Sequence, residues 1–546
     1  MKKYVIGIDF GTLSGRAILV DAHTGKMIEE SVLEYSHGVM TKALPDGTEL
    51  SPMTALQHPM DYLEVLGKTV PDVMSKAGVD KQDIAGVSID FTSCTMLPLD
   101  SNGIPMCFMD KYASEPNAYA KLWKHHSSQP QADRINKLAK ERGEKWHAIY
   151  NHSVSSEWML PKILQTLEEA PTLYEETYRF AEAGDWLSWY LTETESYAPS
   201  FAGMKSLWTR EGGYPSGEFF AALDSRLGDI VGTKLPENIA YVEDIAGYVS
   251  ERGAQLTGLA VGTPVALPDL DGPAALPAVR VYEEGQMMVI MGTSAVYLIN
   301  SPHLVPNTEG IYLYVKDCIY NGLYMYEAGQ ACFGDAYEWF VKNLVPAAYY
   351  EEAKERNINI HKLLREKAMK QRIGESGLLA LDWFNGNRSV LSDSRLSGMI
   401  LGLTINTKPE EIYRAMIEAT AFGGKMIVDT FEKNGLRVDT ICATGGIAFK
   451  DEMLMQIFAD VTGKRISVAG TTQGAALGSA IRAAVAGGIY PDIFAAIDVM
   501  GAHSAKVYEP IPENVKAYGT LYEEYKRLHD YFGRGENDVM KRISKH

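Results

Sequence analysis

The sequence has few cysteines and no long apolar run. Its five cysteines are widely spaced and form no C-x-x-C pair, so they indicate neither a disulfide framework nor a zinc site. They are Cys94, Cys107, Cys318, Cys332 and Cys442. No apolar run approaches the roughly 20 residues of a membrane span, and the apolar segment near the N-terminus is too short for a signal peptide. We therefore expect a cytoplasmic protein that is not inserted in a membrane.

Clusters of basic residues are also missing. The chain has 70 acidic and 52 basic side chains and a formal net charge of -18. Proteins that bind nucleic acids carry clustered Lys and Arg, because contacts with phosphates dominate their affinity. We therefore expect no nucleic-acid partner. Hydrophobic residues make up 46% of the chain and charged residues 22%, which is typical of a folded globular protein.

The length of 546 residues predicts two domains, because single cores stop growing at about 250–300 residues. Predicted strands such as 84–91 alternate with predicted helices such as 62–75, which favours the α/β class. The run 256–273 is rich in Gly and Pro. We place the boundary in this run, so that the domains comprise residues 1–262 and 263–546.

One short unit occurs once in each half of the chain. The first copy comprises an apolar strand at 4–9, the turn Gly11-Thr12 and a strand at 16–20; the second comprises 287–291, Gly292-Thr293 and 296–299. Such a repeat indicates two related α/β halves. A ligand held by both halves would lie between them.

Gly-Thr turns can bind phosphate, because glycine allows close approach to the backbone and the N–H and hydroxyl groups donate to oxygen. A single turn of this kind is more often an ordinary hairpin turn. The second copy, and the strand at 440–444 that ends in Gly445-Gly446 before a helix, favour two phosphate loops and a glycine-lined nucleoside site.

Several segments resemble known motifs. Residues 6–12 (IGIDFGT), 291–294 (MGTS) and 443–447 (ATGGI) resemble the two phosphate motifs and the adenosine motif of the actin, hexokinase and sugar-kinase superfamily. Residues 397–418 are similar to the second signature of the FGGY carbohydrate kinases. Further motifs resemble the bacterial branch of that family that acts on ribulose: DFTSCTML at 90–97, KLWKHH at 121–126, SSEW at 155–158, YEAGQ at 326–330, GESGLLALDW at 374–383 and YFGRGEN at 531–537.

The resemblance implies two actin-like (ribonuclease H-like) ATPase domains with an interdomain catalytic cleft. It implies ATP-dependent phosphorylation of a ketopentose, with L-ribulose to L-ribulose 5-phosphate, a step of L-arabinose catabolism, as the best match. ATP and Mg²⁺ would be the cofactors. Another ketose or polyol, or a weakly active relative that only binds sugar and nucleotide, remains an alternative. A homodimer is also left open.

The resemblance also assigns roles to individual residues. Asp271 would be the general base, and Asp9 would hold Mg²⁺ through water. The sugar contacts would be Ser93, Lys205, Asp271 and Glu327. The phosphate contacts would be Gly11, Thr12, Arg16, Gly292 and Thr293, and the nucleoside would be lined by Gly329, Gly445 and Gly446.

The sequence departs from the family pattern around the expected base. Ribulose-phosphorylating members commonly have Gly-Asn-x-Asp-Ala-His there, whereas this chain has PDLDGP at 268–273, and Ser-Thr-Cys-His becomes SAVY at 294–297. Pro273 lacks a backbone donor, and in an extended segment Asp269 would share a face with Asp271 and compete for the same environment. Locally, Asp271 is also compatible with an ordinary turn aspartate. Ser93 replaces a common Ala and could add a hydrogen bond to the sugar.

Overall fold

The computed structural model of the protein describes residues 3–544. The chain forms two compact units. The first comprises the chain up to Tyr282, Tyr314–Met325 and Gln473–Ala502, and the second comprises Glu283–Leu313, Tyr326–Thr472 and the chain from His503 onward. Each contains helices and a large mixed sheet, so the predicted α/β class is confirmed.

The first unit is built on a seven-stranded sheet. Its strand order is Met27–Glu34, Ser14–Asp21, Tyr4–Phe10, Ile84–Phe91, Pro264–Ala266 and Ile245–Tyr248, with Asp269–Leu270 also paired to Ile84–Phe91. All eight residues of Ile84–Phe91 are buried, as expected for a parallel strand covered on both faces. A smaller sheet has the order Leu56–Gln57, Ala120–Lys121, Met96–Leu99 and Arg179–Glu182.

A second seven-stranded sheet lies mostly in the second unit, although residues 314–316 and 324–325 of its strands are grouped with the first unit. Its order is Leu313–Lys316, Tyr324–Gln330, Ala295–Ser301, Gly285–Met291, Val438–Thr444, Arg465–Val468 and Lys506–Tyr508. In both units the central strand forms an antiparallel hairpin with the next strand along the chain, and two further parallel strands lie on its other side. The repeat predicted from the Gly-Thr turns is therefore a repeat of topology. The strands Leu379–Leu381 and Met399–Leu401 form a separate pair.

Helices cover these sheets. The α-helices of the first unit are Pro59–Ala77, Gln129–Arg142, Met159–Glu169, Pro171–Glu176, Ala183–Thr192, Pro199–Lys205, Gly217–Leu223, Ile230–Thr233, Glu251–Thr257, Asp271–Ala278, Gly474–Ala486 and Ile493–Met500. Those of the second unit are Gly334–Leu344, Ala347–Glu355, Ile360–Ala368, Pro409–Lys433, Gly446–Lys450, Glu452–Thr462, Pro512–Gly533 and Val539–Ile543. Short 3₁₀ turns are Lys81–Asp83, Met106–Phe108, Asp110–Tyr112, Pro116–Ala118, Lys145–Tyr150 and Ser225–Leu227. Within residues 3–544, no helix combines the length and apolar character needed to cross a bilayer.

The division between the units differs from the predicted boundary between residues 262 and 263. Pro264–Ala266 and Asp269–Leu270 both pair with Ile84–Phe91, so this Gly- and Pro-rich stretch completes the first sheet instead of linking two domains. The first compact unit continues to Tyr282 and also includes the later segments Tyr314–Met325 and Gln473–Ala502. Composition alone does not reveal such pairing, because the partner strand lies far away in sequence.

The helix Gly474–Ala486 belongs to the first unit although it lies late in the sequence. It packs against the strands Tyr4–Phe10 and Ile84–Phe91. The approach is very close, because a Cβ at Gly7 would lie 1.9 Å from the carbonyl oxygen of Ala476. Only glycine permits this distance. The helix thereby brings Ser479 and Arg482 to the ends of the central strands.

Candidate active site

The predicted first phosphate loop follows the strand Tyr4–Phe10. The Gly11 N–H donates to the carbonyl oxygen of Ser14 at 3.0 Å and closes the hairpin. Three side chains fix the loop from other segments: Tyr35 Oη donates to Gly11 O at 2.9 Å, Gln57 Nε2 to Thr12 O at 2.7 Å and Trp123 Nε1 to Thr12 Oγ1 at 3.2 Å. Because the Thr12 hydroxyl oxygen accepts from Trp123, its own proton is available to a ligand.

Asp9 and Arg16 lie opposite each other on the two strands of this hairpin. Their side chains form an ion pair at 3.3 Å between Arg16 Nε and Asp9 Oδ2. Arg16 also donates to Gln473 Oε1 at 3.2 Å. Burial raises the pKa of Asp9, and the guanidinium of Arg16 opposes this shift. A cation and a carboxylate are therefore fixed beside the phosphate loop.

Three aspartates lie side by side on neighbouring strands. Asp90 is in register with Asp9 on one side and with Asp269 on the other. Asp90 Oδ2 accepts a hydrogen bond from Ser479 Oγ at 2.7 Å, and burial together with the charge of Asp9 raises the pKa of Asp90 well above its usual range. Asp269 forms a buried ion pair with Arg482 at 2.7 Å.

Asp271, the expected base, is the first residue of the helix Asp271–Ala278 and is partly exposed. Its Oδ1 accepts the N–H of Gly272 at 2.8 Å. Desolvation, followed by repulsion from Asp9, raises the pKa of Asp271 to about 7, while Lys205 opposes the shift. A carboxyl group with a pKa near neutrality is suited to proton abstraction at physiological pH.

Asp269 and Asp271 of the unusual segment 268–273 do not share one face as predicted, although the charge of Asp269 makes a minor contribution to the raised pKa of Asp271. That prediction assumed an extended segment, in which side chains two residues apart point to the same face. A helix begins at Asp271, so this alternation of side chains stops there. Asp269 is instead paired with Arg482. Pro273 is the third residue of that helix, where a backbone N–H has no acceptor within the helix, so its missing donor removes no helical hydrogen bond.

Ser93 and Lys205 are brought together in the first unit. Ser93 lies in the loop after the strand Ile84–Phe91, and Lys205 ends the helix Pro199–Lys205. Lys205 Nζ donates to Ser93 Oγ at 3.2 Å. Lys205 also acts electrostatically on Asp271. Both residues are partly exposed, so a hydroxyl, an ammonium and a carboxylate are available to one polar ligand.

The second unit brings Gly292-Thr293 together with Gly445-Gly446. The Gly292 N–H donates to Ser294 O at 2.9 Å, and the neighbouring strands place Ile290 opposite Thr444. Gly445 has φ +93°, and a Cβ there would lie 2.4 Å from the carbonyl oxygen of Met291. This position therefore requires glycine for both conformation and space.

Gly329 and Glu327 lie on the strand Tyr324–Gln330. The N–H of Gly329 donates to Ser389 Oγ at 3.1 Å, and Gly329 O accepts from the Ser389 N–H at 3.0 Å. Glu327 is buried, and its carbonyl oxygen accepts from the Tyr312 N–H at 2.8 Å. The predicted nucleoside residues thus belong to the same unit as the second glycine loop.

Sequence reasoning missed several residues that contact the predicted site. Asp90 and Trp123 lie within motifs that carried the family resemblance, so a signal for them was present. Gln473, Ser479 and Arg482 lie on or beside a helix from a remote part of the chain. Nothing in their local sequence indicates that they face Arg16, Asp90 and Asp269.

Together, the repeated α/β topology and the glycine loop after each central strand are typical of the actin-like two-domain class, to which sugar kinases belong. The N-terminal domain of the FGGY family of carbohydrate kinases matches residues 4–276, and its C-terminal domain matches residues 287–487. The chain belongs to the FGGY family of carbohydrate kinases.

Relatives resemble the chain over nearly its whole length. A ribulokinase of Bacillus licheniformis is 47% identical over 540 residues, covering 98% of this chain and 97% of that protein. A ribulokinase of Mycolicibacterium smegmatis is 44% identical over 545 residues, covering 99% of this chain and 96% of that protein. Among solved structures, a gluconate kinase of Lactobacillus acidophilus has a TM-score of 0.80 at 19% identity, and the match covers 98% of this chain and 99% of that one. A xylulose kinase of Rhodospirillum rubrum has a TM-score of 0.79 at 21% identity, and the match covers 96% of this chain and 98% of that one. These structures show a shared fold.

Proposed function

We propose that the protein transfers the γ-phosphate of ATP to the terminal hydroxyl of a ketopentose, converting L-ribulose to L-ribulose 5-phosphate in L-arabinose catabolism. The observation that carries this proposal is the grouping of Ser93, Lys205 and Asp271 in one unit, beside the Asp9–Arg16 pair. The relatives that are 44–47% identical over their whole length and named ribulokinase support the choice of sugar.

In this proposal Asp271 accepts the proton of the attacking hydroxyl. Lys205 and Ser93 orient the sugar by hydrogen bonds, and Glu327 contributes a further sugar contact. Phosphoryl transfer has a loose transition state, so positioning and neutralisation of charge account for most of its catalysis. The carboxyl of Asp271 is suited to the role because its pKa of about 7 makes it a stronger base than an ordinary aspartate.

The nucleotide is proposed to contact both glycine loops. Gly11, Thr12 and Arg16 would bind phosphate oxygens, and Gly292 and Thr293 would supply a second set of neutral donors. Gly329, Gly445 and Gly446 would line the nucleoside. The fixed loop backbone around Thr12 and the absence of a side chain at Gly292 support this assignment.

Mg²⁺ is proposed to bind near Asp9 through water. The residues present fit such an ion, because Mg²⁺ usually keeps several waters and needs only one or two carboxylates besides the phosphates of its nucleotide. Within residues 3–544, no group of three or more His, Cys, Asp or Glu side chains could hold a metal alone. When bound, the ion would neutralise charge on the transferring phosphate.

The test is a coupled assay with ATP and a panel of ketopentoses, other ketoses, polyols and aldoses. We expect L-ribulose to give a kcat/KM at least about tenfold above the others. A clear preference for another ketose or a polyol would redirect the substrate assignment. Sugar binding detected by calorimetry without any turnover would favour the alternative of a sugar- and nucleotide-binding relative.

We further propose that the enzyme acts in the cytoplasm without a nucleic-acid or membrane partner. The net charge of -18 and the five free, buried cysteines are in keeping with this. A homodimer is the oligomeric state that we would test first. Size-exclusion chromatography with light scattering would give a mass near twice 60.3 kDa if this is right.

A further inference from the structure

Lys162 lies on the helix Met159–Glu169 and is completely buried. Removing an ammonium from water is expensive unless it is well compensated. Its three described hydrogen bonds all go to backbone carbonyl oxygens: Cys94 at 2.5 Å, Leu122 at 3.0 Å and Lys121 at 3.2 Å. A single side chain thus ties together two loops that are remote from its own helix.

The first of these carbonyls belongs to the loop that carries Ser93. Cys94, the next residue, has φ +61°, a left-handed conformation that is unfavourable for any residue except glycine. The hydrogen bond from Lys162 holds the Cys94 carbonyl in this conformation. Ser93 Oγ, which accepts from Lys205, is thereby fixed toward the proposed sugar site.

The second carbonyl belongs to the segment that supports the first phosphate loop. Leu122 immediately precedes Trp123, whose Nε1 donates to Thr12 Oγ1. The Lys162 ammonium therefore bonds the backbone on one side next to Ser93, a proposed sugar contact. On the other side it bonds the backbone next to Trp123, which donates to Thr12 of the proposed phosphate loop. Among the hydrogen bonds described for residues 3–544, no other side chain bonds both Cys94 and Leu122.

We propose that Lys162 is a positioning residue that couples the Ser93 loop to Thr12 of the first phosphate loop. The inference rests on the proposed function, because it assumes that Ser93 binds sugar and Thr12 binds nucleotide. The buried ammonium of Lys162 is not exposed to a ligand. It acts through the conformation of Cys94 and through the placement of Trp123.

Lys121 provides a matched control. It is also buried, and its ammonium bonds Asn117, Gln165, Thr166 and the carbonyl oxygen of Lys162. Its ammonium bonds neither Cys94 nor Leu122, although its own carbonyl oxygen accepts from Lys162. Lys162→Met removes the loop contacts, whereas Lys121→Met removes a buried ammonium of similar environment. The unfolding temperature of each variant reports how much of any effect is loss of structure.

We expect Lys162→Met to raise the KM for L-ribulose about tenfold and to weaken ATP binding several-fold in calorimetry, with Lys121→Met changing both by less than twofold. The second substitution Cys94→Gly should largely restore the sugar KM of Lys162→Met, because glycine adopts φ +61° without strain. It should not restore ATP affinity, since the Leu122 contact is still missing. Lys162→Arg, which keeps the charge and donors, should lie between wild type and Lys162→Met.

Equal effects of Lys162→Met and Lys121→Met, or a sugar KM that Cys94→Gly does not improve, would overturn the coupling role. If Lys162→Met fails to fold, Lys162→Arg takes its place, and its sugar KM and ATP affinity are measured with and without the second substitution Cys94→Gly. Lys162→Arg kinetics identical to wild type in both substrates would then count against the proposal. A wild-type protein that phosphorylates no sugar would refute the proposed function, while ATP affinities of the two methionine variants would still decide the link to Thr12.

Discussion

The proposed role of Asp271 as general base implies a pH dependence, because desolvation and repulsion from Asp9 raise the pKa of its carboxyl to about 7. Only the ionised carboxylate can accept a proton, so kcat/KM should fall about tenfold per pH unit below a pKa of about 7. Asp271→Asn should lower kcat by roughly 100-fold or more and leave the Kd for ATP nearly unchanged. Steady-state kinetics from pH 5 to 9 and calorimetry measure both. Near-normal turnover in the variant would refute the assignment.

The same substitution should stabilise the protein without ligands. The folded pKa of Asp271 lies above the value of about 3.9 for an unfolded aspartate. Between these two values the folded state binds more protons than the unfolded state, so the contribution of Asp271 to stability falls as the pH rises from about 4 to about 7. Asn avoids this loss. Thermal unfolding should show the largest gain for Asp271→Asn above pH 7 and almost none near pH 4; a variant less stable than wild type at pH 8 would contradict this.

The buried Asp269–Arg482 pair makes a different prediction at the residue scale. Arg482→Met leaves Asp269 as an uncompensated buried carboxylate and should destabilise the first unit by about 3–5 kcal/mol. The double variant Asp269→Asn with Arg482→Met removes that charge and should recover most of the loss. Urea unfolding of the wild type, both single variants and the double variant gives the coupling energy. A double variant no more stable than Arg482→Met would show that the pair acts through packing.

At the scale of elements, the close contact between the strand Tyr4–Phe10 and the helix Gly474–Ala486 is the most sensitive feature. Gly7→Ala should destabilise the protein by about 3 kcal/mol or more, because its methyl group cannot fit beside the Ala476 carbonyl. Gly519→Ala is the control, since Gly519 is exposed within the helix Pro512–Gly533 and a Cβ there meets nothing within 4 Å. That substitution should stabilise by about 0.5–1 kcal/mol. Denaturant unfolding that ranked the two variants in the opposite order would exclude this packing.

Elements with strong local signals were predictable from the sequence. The proline and glutamates at 409–411 and the apolar spacing over 408–432 predict a helix there, and the structure has the helix Pro409–Lys433, because these signals act locally. The spacing of Tyr518, Tyr522, Tyr525 and Tyr531 predicts one buried aromatic face on a helix. The first three are buried in the helix Pro512–Gly533, whereas Tyr531 is 40% exposed. The spacing of the tyrosines thus indicates which face of the helix Pro512–Gly533 is buried, but it does not show where along the helix the burial ends.

Elements that depend on distant partners were not predictable. The stretch 264–278 has the composition of a linker, yet it forms two strands and a helix because Ile84–Phe91 and Gly474–Ala486 pack against it. For the same reason Asp9 and Asp271 could be predicted as site residues from motifs, whereas Arg482 could not. Motifs report local chemistry, but only the fold shows which remote side chain balances a charge.

At the scale of the whole molecule, the two units share a topology but not their chemistry. The hairpin position that pairs Asp9 with Arg16 in the first unit pairs Ile290 with Val296 in the second. A charged pair beside one glycine loop thus corresponds to an apolar pair beside the other. This difference supports the proposal that metal and phosphate charge bind beside the first loop, while the second loop offers neutral backbone donors.

The proposal that both loops bind one nucleotide can be tested with a pair of small substitutions. A Cβ at Gly292 would lie 3.8 Å from Ser294 O, an ordinary contact, whereas one at Gly11 would lie 3.3 Å from Ser14 O and requires a small shift of the turn. Both alanine variants should therefore fold. Each should nevertheless hinder close approach of phosphate. Gly11→Ala and Gly292→Ala should therefore each weaken ATP binding by about tenfold and leave sugar binding intact, with Gly519→Ala as the unchanged control. Calorimetry that showed full ATP affinity in Gly292→Ala would contradict the proposed phosphate contact at Gly292.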